Sequence, residues 1–155
     1  MPATRLNVSP WLDPVIDARG HRVSSAYVEL FWLPVLGPTA TLTLRRLAAW
    51  LAVCPEGFSM DLHELSGMLG LGSPDGTNAQ LPRAIKRCVR FSMVRPLGED
   101  EIAVRRVIGP LPRHHLSRLP PLLQSMHDRY VSPATTDGRV PPASGPWPTA
   151  DRRAG

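Results

Sequence analysis

Eighteen prolines punctuate this 155-residue chain, and their positions limit where a helix can run. Proline lacks a backbone N–H and clashes with the preceding turn, so it belongs in a first helical turn or just beyond a helix end. Pro10 and Pro14 exclude a long helix near the N-terminus, although Trp11, Leu12, Val15 and Ile16 offer something to pack. Residues 1–23 are therefore expected to form a partly ordered arm. Pro34 is expected to end a short helix, AYVELFWL, for which Ser24 and Ser25 are suitable N-caps. Pro38 suits the opening turn of the next helix. There Leu42, Leu44, Leu47, Ala48, Leu51 and Ala52 follow an apolar helical spacing that stops before Pro55 and Gly57.

Beyond Gly57 the period changes. Phe58, Met60 and Leu62 alternate with Ser59 and Asp61, which predicts a very short strand, and Asp61 is placed to cap the helix LHELSGMLGL. Leu62, Leu65, Met68 and Leu69 share one face of that helix, and Gly70 or Gly72 closes it. SPDGTN reads as a loop. In the segment AQLPRAIKRCVRFSM, Leu81, Ala84, Ile85, Cys88, Val89 and Ser92 fall on one side and Arg83, Lys86, Arg87 and Arg90 on the other. Pro82 places the helix start near Ala79 or Leu81. MVRPL and IAVRRVI, joined by GEDE, read as a hairpin, and a last helix is expected from Pro121.

This order predicts a mainly α domain with a small β-hairpin, a winged helix-turn-helix, over residues 24–131. In such a domain the third helix meets a groove of DNA and the hairpin flanks it. Residues 132–155 are rich in Pro, Gly, Ser and Thr and lack aliphatic periodicity, so a disordered tail is expected, with Trp147 its one large apolar side chain.

Charge falls where that arrangement needs it. Thr77 to Pro110 holds seven basic residues, Arg83, Lys86, Arg87, Arg90, Arg95, Arg105 and Arg106, against the acids Glu99, Asp100 and Glu101. Most of the chain's net +5 thus lies on one helix and one hairpin. These seven are the candidate nucleic-acid-binding residues, with double-stranded DNA the expected ligand. Two features oppose them. The Gly70–Asn78 loop is longer than a tight helix-turn-helix turn, and the three acids sit at the hairpin tip, where phosphates would repel them.

The stretch YVELFWLPVLGPTATLTLRRLAAWL resembles the opening of the winged-helix domain of DnaD/DnaB-type primosomal proteins, through Leu36, Gly37, Pro38, Ala40, Leu44 and Leu47. The likeness covers about Tyr27 to Ile108 and implies a winged helix used in DNA handling and self-association. It does not extend to that family's second, helical domain, so helicase loading is not implied. Compact regulators of the MarR or PadR type fit the length equally well.

Other chemistries find little here. Cys54 and Cys88 stand far apart without a CxxC spacing, so both are expected to be reduced and buried. No leader-like segment opens the chain and no apolar run spans a bilayer, which places it in the cytoplasm by expectation. His114, His115 and His127 are not at metal-ligand spacing and are expected on the surface or facing a partner. GLGSPDG follows a helix and no Lys-Ser/Thr pair closes it, so it is no phosphate loop. Asp61, His63 and Glu64 lack a nucleophile. Neither catalysis, a cofactor nor a metal is expected. The leading expectation is a DNA-binding protein of transcription or replication control, a homodimer joined through Leu119, Leu122, Leu123, Met126 and Tyr130. The alternative is a protein–protein interaction module without DNA binding.

Overall fold

The computed structural model describes residues 4–130; the expected tail, with Trp147, lies outside them. It is mainly helical with a small mixed sheet. Strand β1 (Arg5–Pro10) comes first, then α1 (Pro14–Arg19) and β2 (His21–Arg22). A π-helical turn (Val28–Trp32) runs into α2 (Leu33–Leu36), followed by α3 (Pro38–Val53), β3 (Phe58–Asp61) and α4 (Leu62–Met68). Helix α5 (Gln80–Arg90) leads into β4 (Val94–Gly98), β5 (Glu101–Val104) and β6 (Val107–Ile108), and α6 (Arg113–Leu116) and α7 (Pro121–Tyr130) follow.

The hairpin is not isolated. It belongs to a four-stranded sheet in the order β3-β1-β5-β4, with β1 antiparallel to β3 and parallel to β5. The segment expected to be an arm therefore supplies an interior strand. Arg5, Leu6, Asn7 and Val8 alternate in burial, Leu6 facing the core opposite Met60, and Val8 opposite Phe58 on one side and Ile102 on the other. Past Val104 the hairpin's second strand breaks at Arg105 and Arg106. The chain resumes as β6, which pairs antiparallel with β2 in a separate two-stranded ladder. Gly57 enters β3 at φ 110°, and a Cβ there would lie 2.7 Å from the Val8 carbonyl oxygen, so β1 and this turn fit only around glycine.

Pro34 does not end its helix. The π turn, closed by the Leu33 N–H on the Val28 carbonyl, widens the spiral just before it, and the helical run continues to Leu36. A wider turn relieves the ring's clash with the preceding carbonyls, and the chain stops instead at Gly37, at φ 83°. From there α3 buries Leu44, Leu47 and Leu51 against α5, which contributes Leu81, Ala84 and Cys88. Leu42 and Ala52, expected on the buried face, are exposed; Thr41 and Thr43 are buried instead, their hydroxyls donating to the Gly37 and Thr39 carbonyls. That internal bonding is what lets threonine replace aliphatic residues there.

The expected short strand and its cap are present. The Asp61 carboxylate accepts from the His63 and Glu64 N–H groups at the start of α4. Among the described residues no helix is long and apolar enough to cross a membrane.

Candidate nucleic-acid interface

Helix α5 is built around one apolar stripe. Leu81, Ala84 and Cys88 are buried and Ile85 and Val89 half-buried, so Arg83, Lys86, Arg87 and Arg90 are turned outward and all four are exposed. Pro82 lies in the first turn, where its missing N–H costs nothing. Arg87 and Arg90 occupy the last turn, where cations complement the helix dipole. Burial pushes the Cys88 thiol up to about 12, so it packs as a small apolar group and does not react. None of the four cations forms an ion pair with a described acid.

They are not equally free. Arg87 Nη2 donates to the Val35 carbonyl at 2.6 Å, tying α5 to α2, and its guanidinium lies 5.6 Å from the Phe91 ring, with that of Arg90 at 5.8 Å. Arg83 and Arg87 line an open cleft of about 370 Å³ together with Gln80 and the Leu36–Ala40 segment.

The hairpin arginines divide. Arg95 is exposed, with its guanidinium 4.8 Å from the Trp11 ring. Arg106 is half-buried. Arg105 is withdrawn from any ligand: it is buried, stacks 3.6 Å over Trp11, donates through Nε to the Ser92 carbonyl and pairs with Asp13 at 3.2 Å. The Ile16 N–H, and with it the Arg105 guanidinium, holds the Asp13 carboxyl below the usual carboxylate range. Arg105 thus ties the segment after β1 to the hairpin. Arg105→Ala is expected to lower the thermal midpoint by several degrees, read by circular dichroism, while leaving polyanion binding unchanged.

Glu99 and Asp100 form the exposed hairpin turn and Glu101 follows them. The long loop before α5 is fastened within itself and to α4. Ser66 Oγ donates to the Gly72 carbonyl, Ser73 Oγ to Asp75, and His63 Nε2 lies 3.4 Å from Asp75 Oδ1.

The expected dimer stripe folds onto its own chain. Leu119 is buried, and Leu123 and Met126 are half-buried against the core. Tyr130 packs its ring 5.8 Å from Tyr27 and 5.7 Å from Phe31. Leu122, at 57 % exposure, is the stripe's one largely open aliphatic. An amphipathic period shows that a helix buries one face but not which chain covers it. His127 is likewise buried, 2.8 Å from the Tyr27 hydroxyl, and not on the surface as expected. Cys54, expected to be buried, is exposed at the end of α3.

Sequence reasoning missed one group that lies beside α5. His115, half-buried on α6, meets the Phe91 ring edge-on at 5.5 Å and lies tilted against the His114 ring, 4.0 Å between centroids. The signal, Arg113, His114, His115 and Arg118 within six residues, is legible in the sequence, but its nearness to α5 is not. Among the described residues no group of His, Cys, Asp and Glu is placed to hold a metal ion. No family model, curated protein or solved structure matches the chain.

Proposed function

We propose that the chain is a winged-helix protein that binds double-stranded DNA through α5 and acts in transcription or replication control. The observation that carries this reading is the exposed cationic face of α5, four side chains on one side of a helix, none paired with an acid. The element order α3, β3, α4, α5 and the β4–β5 hairpin supports it, since the third helix of that series is the one a winged helix lays in a groove. Arg95 adds a contact from the hairpin, while the acids at its turn keep the tip away from phosphates. Arg105 has no part in the interface.

Binding of this kind releases counterions, so affinity for a duplex falls steeply with salt. Arg83→Ala, Lys86→Ala and Arg90→Ala are each expected to flatten the log–log salt slope by about one unit, measured by fluorescence anisotropy. A chain that ignores duplex DNA at low salt overturns the reading. The exposed acids Glu99, Asp100 and Glu101 next to the exposed Leu97 favour a second reading, a module that meets a basic protein through its hairpin tip.

A further inference from the structure

Helix α6 carries cations on a surface continuous with α5. Phe91, the residue that follows α5, is the junction. Arg87 and Arg90 approach its ring from one helix and His115 from the other. Arg113, His114 and Arg118 are exposed, and neither arginine forms an ion pair with a described acid. The groups that face His115 are His114 on α6, Arg118 just beyond it and Arg90 on α5, all of them basic. Arg87, Arg90 and His115 thus meet at one aromatic ring, with His114 and Arg118 beside His115 and no acid among the groups that face it. Such a cluster repels itself, and a polyanion relieves the strain.

We propose that the Arg113–Arg118 segment is a second phosphate-contacting element, extending the α5 surface along the backbone of the same DNA duplex. This rests on the reading of α5 as the DNA-binding helix and enlarges its footprint beyond the hairpin side. The segment contacts the phosphate backbone and not base edges, because its donors sit beyond the C-terminal end of α5, on a four-residue helix and just after it. Partial burial and the neighbouring His114, Arg118 and Arg90 charges hold the His115 imidazole below its ordinary range. A phosphate brought alongside opposes those charges and raises it, so binding takes up protons and tightens as pH falls.

The test is duplex binding followed by anisotropy across salt, at about pH 7.5 and about pH 6. Arg113→Ala/Arg118→Ala is expected to flatten the log–log slope by about two units, with an unchanged circular dichroism spectrum. Arg46→Ala, which removes an exposed arginine on α3, is the charge control and leaves the slope as it was. His114→Gln/His115→Gln is expected to abolish the gain in affinity between the two pH values. If the double arginine variant keeps the wild-type slope while Arg83→Ala flattens it, the α6 contact is overturned and the α5 reading stands. If the Arg46 control flattens the slope as much per charge, the α6 contact is likewise overturned. A wild-type chain that binds no duplex overturns both.

Discussion

Deletion of residues 1–10 is expected to unfold the domain, abolishing a cooperative thermal transition by circular dichroism. Strand β1 lies between β3 and β5, so its loss breaks two ladders at once and parts β3 from the hairpin. Leu6 and Val8 leave the core with it, uncovering Met60 and Ile102. Truncating a buried aliphatic side chain costs about 2–5 kcal/mol. Two such losses together approach the roughly 5–15 kcal/mol that keeps a whole domain folded. The lost ladder bonds come on top of that. A truncated chain that melts within a few degrees of the full one would show that β1 is dispensable, as a loosely attached arm would be.

The second large effect centres on Tyr27, whose ring is fully buried at the joint between the π turn and α7. Its hydroxyl oxygen accepts from the Leu111 N–H at 2.8 Å and lies 2.8 Å from His127 Nε2. Burial raises the phenol's titration, so it keeps its proton, and the tautomer of His127 sets which of the two groups donates in the bond they share. His21 stacks on the Tyr27 ring, 3.7 Å between centroids. Tyr27→Ala is expected to cost about 3–5 kcal/mol in chemical denaturation, as for other fully buried aromatics. Tyr27→Phe, which orphans the Leu111 N–H, is expected to cost about 1–3 kcal/mol.

The same joint is expected to contribute to the acid limit of the fold. Burial, and then the charge of His127, holds His21 below its ordinary range; burial holds His127 down against the pull of Asp128. Near and below the ordinary value of 6.5 the unfolded chain therefore binds more protons than the folded one. The stability these neutral rings supply is complete above that pH and drains away as the solution is acidified towards the depressed folded values. His21→Phe/His127→Phe is expected to flatten the dependence of the denaturation midpoint on pH between about 6.5 and about 5. An unaltered slope in that variant would mean that other groups set the acid limit.

What the sequence made legible was local. The α5 faces follow from helical phase alone, so Arg83, Lys86, Arg87 and Arg90 are found where that phase puts them. The strand at Phe58, the Asp61 cap and the last helix from Pro121 are equally short-range matters. What stayed hidden depended on partners far along the chain. RLNVSP alternates like a strand, but it is brief, and nothing local reveals ladders with residues some fifty and ninety positions on. Arg105 looks like any cation of a hairpin until Trp11 and Asp13 arrive beside it. Pro34 marks a helix end by the ordinary rule, and only the widened turn in front of it changes the outcome. At the candidate interface the same divide holds: the α5 contribution is readable, whereas the approach of α6 requires the chain to have folded.

The place of β1 also dictates an order of assembly. This strand is made before either of its neighbours, the antiparallel one following about fifty residues later and the parallel one about ninety. Until β5 emerges, β1 has at most one edge to rest on. Contacts this distant in sequence slow folding, because a long loop must close before they return any stabilisation. The α3–α5 pair, built from closer segments, is therefore expected to form first and wait. Closure of the sheet around β1 is then the late step that commits the nascent chain to its native state.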